Sequence, residues 1–138
     1  MKFQDLNIHS SLLSILEQSG FTILTSVQEL VIPHILNKKD LIAIAPTGTG
    51  KTEAFTIPIL HRYFTQEITL QEQTLILNPT RELALQTQSR INKLIQSYPV
   101  TTITLVGGQA YDMQLAGLLQ SPTILIATPG RILDLIDQ

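Results

Sequence analysis

The chain has 138 residues, a one-domain length, with 43% hydrophobic and 14% charged residues, the balance of a globular rather than a disordered chain. Its net charge of −2 lacks the whole-domain basic excess that marks a nucleic-acid binder, so any such role has to rest on particular residues. With no cysteine, no apolar run near the ~20 residues a membrane helix needs, and no signal-peptide core in MKFQDLNIHS, disulfides, thiolate metal sites and a membrane span are excluded and a soluble, cytoplasmic protein is expected.

In chain order, Ser10 or Ser11 is placed to cap a helix through Leu12, Leu13, Ile15 and Leu16 that Gly20 ends. Ser26 is placed to cap a second helix through Leu30, Val31 and Ile35, with Glu29 as the third residue of a capping box. Four short apolar segments then have strand character: Leu41–Ala45, Thr74–Asn78, Val100–Val106 and Pro122–Ala127. They run apolar rather than strictly alternating, as strands buried on both faces of a parallel sheet do. Helical patterns separate them over Lys51–Phe64, Arg81–Ser97 and Ala110–Leu119, and another begins at Arg131. This alternation predicts an α/β fold with right-handed crossovers. Residues 1–39 form a helical lead-in and 40–138 the α/β core. Pro33 and Pro58 fall inside helical patterns and are expected to bend or interrupt them.

The chemistry concentrates first at Thr47-Gly48-Thr49-Gly50-Lys51-Thr52, which follows one apolar segment and opens a helix. Backbone N–H groups in such a loop converge on phosphate oxygens, and the helix N-terminus adds partial positive charge. Lys51 would reach the β- and γ-phosphates, and the Thr52 hydroxyl would ligate Mg²⁺. The general motif has a glycine where this chain has Ala45. His9, His34 and His61 are spread without ligand spacing and read as solvated or locally bonded.

With that alanine, Ala45–Thr52 resembles motif I of the DEAD-box RNA helicases, and further motifs arrive in that family's order. Phe21–Gln28 (FTILTSVQ), preceded by Gly20, resembles the Q motif, although Leu24 and Ser26 stand where prolines are common. Phe3 stands seventeen residues before Gly20, at the place of the family's upstream aromatic. Pro79-Thr80-Arg81-Glu82-Leu83-Ala84 matches motif Ia, Gly107-Gly108 the GG motif, and Thr128-Pro129-Gly130-Arg131 motif Ib. The resemblance implies a P-loop, RecA-like parallel sheet flanked by helices, with ATP and Mg²⁺ as cofactors and RNA as partner. It implies that Gln28 reads adenine, that Phe3 stacks on it and that Phe21 belongs to the same site. Pro79, Thr80, Arg81, Gly107, Gly108, Thr128, Pro129, Gly130 and Arg131 would grip RNA. Each of these segments follows a strand, so all are expected, with the cradle, at the carboxyl edge of one sheet, where contacts to phosphate and sugar position a strand without reading its sequence.

The chain contains no Asp-Glu-Ala-Asp, and neither Glu53 nor Asp112 is placed to activate water. In the resembled family that motif, a Ser-Ala-Thr motif and a second RecA-like domain come next. The resemblance therefore implies an incomplete first domain, whose sheet would lack central strands, would be poorly stable alone and would not hydrolyse ATP. A non-catalytic nucleotide- or RNA-binding module is the alternative. An unrelated P-loop kinase or GTPase fits poorly with P-T-R-E-L-A, T-P-G-R and Gln28.

Overall fold

The computed structural model describes residues 1–95 and 99–137, in two compact units, 1–68 and 69–138. In the first, a 3-10 turn (Phe3–Asp5) precedes α1 (Ser10–Gln18), α2 (Ser26–Leu36) and α3 (Lys51–Phe64). The spacing of apolar residues explains the packing. Leu12 and Leu16 of α1 and Ile57, Leu60 and Tyr63 of α3 recur at helical intervals and are buried. Val27 and Val31 of α2 pack on Ala54 of α3. The N-terminal strap is fastened by backbone bonds from Phe3 N–H to the Thr22 carbonyl (3.1 Å) and from Leu24 N–H to the Met1 carbonyl (2.9 Å).

Both prolines are accommodated: α2 and α3 run through Pro33 and Pro58 without interruption. Each proline removes one helix hydrogen bond, and the apolar faces buried on either side hold the helix together across the gap. The caps also differ from expectation. His9, not a serine, caps α1, its ring nitrogen accepting from Ser11 N–H at 3.1 Å. Thr25, not Ser26, caps α2, and Gln28, not Glu29, completes the capping box.

The segment Leu41–Ala45 forms no strand. A strand exists through its ladder partner, and within the first unit the described residues give this segment none; the single bridge there joins Lys2 to Ile23. Ile42 and Ile44 are 94% and 97% exposed, an uncovered apolar segment of the kind that invites association.

The second unit is a three-stranded parallel sheet in the order β1-β3-β2, built from β1 (Thr74–Leu77), β2 (Thr102–Leu105) and β3 (Ile124–Ala127). The in-register pairs Leu77–Ala127 and Leu105–Ala127 bring the three carboxyl ends level. Helices α4 (Arg81–Ile95), α5 (Tyr111–Leu118) and α6 (Pro129–Ile136) follow the strands in turn; the expected end of α4 at Ser97 lies outside the described residues. Ile124 and Ile126 of the central strand are fully buried, whereas Leu75 and Leu77 of β1 are half exposed, so only β3 meets the expectation of burial on both faces.

Two histidines tie α1 to α3. The backbone N–H of His9 donates to Nδ1 of His61 (3.0 Å), and the His9 ring lies 5.6 Å from that of Phe64. Burial pulls the His61 pKa below its ordinary value; Glu67, ion-paired with Arg62, pushes it back up, and His9 adds to the lowering. A histidine held neutral in the fold takes up its proton more readily when unfolded. Its contribution is complete above the unfolded pKa of about 6.5, declines as pH falls below that value, and is lost once pH has passed the lowered native pKa. Denaturant unfolding at a series of pH values should show stability falling below about pH 6.5, and His61→Asn, a non-titrating acceptor, should flatten that slope.

Candidate functional site

In the first unit the cradle is a tight turn closed by its own residues. Thr49 Oγ1 donates to the Pro46 carbonyl (2.7 Å), and Lys51 Nζ reaches back to the Ala45 carbonyl (2.7 Å). Gly48 and Gly50 have φ of +81° and +87°, and Gly50 is the N-cap of α3. Lys51 is exposed and Thr52 half-buried in the first helical turn, while Thr47 lies open on the surface.

Gln28 is the side chain that holds this loop. It is 2% exposed. Its Oε1 accepts from Thr25 N–H at 3.0 Å, and its Nε2 donates to the Gly50 carbonyl at 3.2 Å. One buried amide thus caps α2 and braces the cradle. An amide oxygen has two lone pairs and the NH₂ two hydrogens, so each end has one bond that these two partners do not use. Gly50 has to be glycine twice over, because a Cβ there would run into Gln28 Nε2 and because its backbone is left-handed.

The ring of Phe3 is 1% exposed. It meets Phe21 edge-to-face, 6.1 Å between centroids at 84°. The strap bonds hold it behind Phe21, which is half-buried, and both rings line a small cavity with Gln4 and Glu17. A cleft of about 890 Å³ between α2 and residues 39–46 touches the cradle only at Ala45, Pro46 and Thr49. Val31, Ile42 and Ile44 among its walls mark it as the open flank of the 41–45 segment.

In the second unit the three expected segments lie together at the carboxyl ends of the strands. Pro79 and Thr80 follow β1, and Thr80 Oγ1 accepts from Leu83 N–H (3.2 Å), capping α4. Gly107 and Gly108 follow β2, and Thr128 and Pro129 open α6 after β3. Thr128 N–H donates to the Leu105 carbonyl at 3.1 Å, which locks the third turn to the second. The Arg81 guanidinium lies over Gly108, where a Cβ would stand 2.5 Å from Nη1. Pro79, Thr80, Arg81, Gly107, Gly108, Pro129 and Gly130 are exposed. Arg131 is anchored more firmly: its Nη1 donates to the Gln109 carbonyl (3.2 Å) and to Gln114 Oε1 (3.0 Å), with its guanidinium 5.7 Å from the Tyr111 ring centroid.

A cradle opening a helix and three level turns presenting helix starts and arginines are the geometry on which comparison with known proteins bears. The family model described as DEAD/DEAH box helicase matches residues 25–138. The chain belongs to the DEAD/DEAH box helicase family. It is 42% identical over 136 residues to the DEAD-box ATP-dependent RNA helicase CshA of Streptococcus pneumoniae, covering 99% of this chain and 26% of that protein. A probable ATP-dependent RNA helicase of Dictyostelium discoideum, ddx27, is 42% identical over 133 residues, covering 96% of this chain and 17% of its own length. Among solved structures, a DEAD box protein from Methanococcus jannaschii superposes with a TM-score of 0.89 at 35% identity, over 99% of this chain and 37% of that one. A hypothetical ATP-dependent RNA helicase from Sulfolobus tokodaii gives 0.82 at 33% identity, over 94% and 37%. This DEAD/DEAH box chain thus spans about a quarter of the length of its curated relative CshA.

Sequence reading of this helicase chain misses Thr25, Gln114 and Tyr111. Glutamine is mostly a surface residue, so nothing in the local pattern marks Gln114 as buried. The two cradle glycines provide a test of the brace. Gly48 has nothing within 4 Å of an added Cβ. Gly48→Ala should therefore cost only the left-handed backbone, about 1–2 kcal/mol. Gly50→Ala should add overpacking against Gln28 of about 1–3 kcal/mol more. Chemical denaturation of the two variants checks the difference, and equal losses would mean that Gln28 does not hold the loop.

Proposed function

We propose that the chain binds ATP at the cradle and one strand of RNA at the three level turns, as the ATP- and RNA-binding part of an ATP-dependent RNA helicase. The observation that carries the reading is the braced cradle, a loop with two left-handed glycines at the start of α3, with a lysine and a hydroxyl in its first turn. The triphosphate lies against the loop N–H groups and the helix N-terminus. Lys51 exchanges the Ala45 carbonyl for the β- and γ-phosphates, and Thr47, Gly48, Thr49 and Gly50 supply the lining. Thr52 would hold the nucleotide's Mg²⁺, which neutralises charge between the phosphates. Gln28, 2% exposed in this arrangement, would offer its remaining lone pair and hydrogen to the adenine edge once its surroundings open to the base, with Phe21 as the stacking face and Phe3 behind it. Lys51 and Thr52 are the residues of this chain that act on the reacting phosphates.

On the RNA side, exposed Thr80, Gly107, Gly108, Pro129 and Gly130, with half-buried Thr128, let a sugar-phosphate strand approach the backbone. The starts of α4 and α6, with Arg81 and Arg131, supply positive potential. These contacts are independent of sequence. The relatives named as RNA helicases support RNA as the partner, and we read the compartment as cytoplasmic. With no Asp-Glu-Ala-Asp among its residues, the chain by itself binds nucleotide without turning it over.

Titration with a fluorescent ATP analogue and with labelled single-stranded RNA tests this reading. Lys51→Ala should weaken nucleotide binding about 10- to 100-fold, the size of one charge-assisted hydrogen bond, and leave RNA affinity unchanged. Unchanged nucleotide affinity in Lys51→Ala, or sustained ATP turnover by these 138 residues, contradicts it.

A further inference from the structure

The turn after β2 carries Gly107–Gly108, and the first turn of α6, which opens directly after β3, carries Arg131. A side chain belonging to neither turn joins them. Gln114, on α5, is 4% exposed. Its Nε2 donates to the Val106 carbonyl at 2.8 Å, directly before the glycine pair, and more weakly to Gln109 Oε1 at 3.4 Å. Its Oε1 accepts from Arg131 Nη1 at 3.0 Å. The donor end therefore serves one turn and the acceptor end the other. An amide supplies both from one side chain; a carboxylate would set an oxygen against the Val106 carbonyl, and an ammonium could not accept from arginine.

Both hydrogens of Arg131 Nη1 are directed at protein oxygens, those of Gln109 and Gln114. The Nε and Nη2 hydrogens have no partner among the described residues, and they form the planar fork that fits a phosphate. Tyr111 under the guanidinium fixes its plane.

We propose that Gln114 is a positioning residue for RNA: it clamps Arg131 against the glycine-pair turn, so that the free edge of the guanidinium is already aimed when a phosphate arrives. The proposal rests on the reading of Arg131 as an RNA contact. An arginine ordered during folding does not lose its rotamer freedom on binding, so the clamp raises affinity without touching RNA. It also makes the second and third turns act as one rigid element.

The test is a double-mutant cycle on the chain, with a fluorescently labelled oligouridylate as probe and anisotropy as readout. Arg131→Ala should weaken binding about tenfold and lower the slope of log affinity against log salt by about one. Gln114→Leu should weaken binding several-fold, and the double variant should bind no more weakly than Arg131→Ala alone. Unchanged affinity in Arg131→Ala overturns the RNA reading of that residue and the proposal with it. A normal effect of Arg131→Ala combined with either no effect of Gln114→Leu or additive losses overturns the proposal alone, since a purely structural glutamine would add its loss in either background. A second measurement, on the unmutated chain, covers the case in which Gln114→Leu does not fold. The Arg131 guanidinium should show slowed rotation in ¹⁵N spectra without RNA, and free rotation would overturn the clamp.

Discussion

The amide of Gln28 is the constraint on which the first unit depends. It is buried, it satisfies the Thr25 N–H that would otherwise be an orphan at the start of α2, and it adds a second bond to the Gly50 carbonyl, which also accepts from Ala54 N–H at 3.1 Å in the first turn of α3. A buried polar group left unpaired costs about 1–3 kcal/mol, so the two helix starts and the side chain hold one another in place. The rest follows from that bond. Gly50 is left without room for a side chain, the loop takes the left-handed turns that point it over α3, and Lys51 closes it on Ala45. On the other side, residues 20–25 are held by the Met1–Leu6 strap, whose Phe3 is buried behind Phe21. A disturbance at the strap therefore reaches the cradle through a single glutamine.

The second unit solves a different problem, the presentation of three loops at one level. Parallel pairing in register does most of it, because each strand ends opposite its neighbour's end. Local bonds do the remainder: Thr80 caps α4, Thr128 N–H ties the third turn to β2, and Gln114 spans two turns. An otherwise acidic chain can in this way present helix starts and two arginines on one edge, so the net charge of −2 does not describe the local potential there.

Much of this was legible in the residues. Lys51–Phe64 and the start of α4 at Arg81 coincide with the helical patterns, and β1 and β3 lie inside the apolar runs that mark them. The cradle and the three turns were readable because they carry particular residues at fixed spacing. What was not legible depends on distant partners. Leu41–Ala45 has the composition of a strand, but composition does not supply a ladder partner. Thr25 rather than Ser26 caps α2 because Gln28 is fixed by Gly50, twenty-two residues away, and so outcompetes Glu29 for the box. The burial of Phe3 against Phe21 depends on the strap, whose backbone bonds no local pattern announces. Gln114 has no sequence signature, since a buried glutamine is defined by the groups around it.

The brace is tested most directly by the affinity of Gln28→Ala for two ligands, ATP and inorganic tripolyphosphate, which shares the phosphates and lacks the base. If Gln28 holds the phosphate loop, both should bind about tenfold or more weakly than to the unmutated chain, as expected for losing a buried hydrogen bond. A loss confined to ATP, with tripolyphosphate binding unchanged, would show that Gln28 acts on the base alone and would contradict the account.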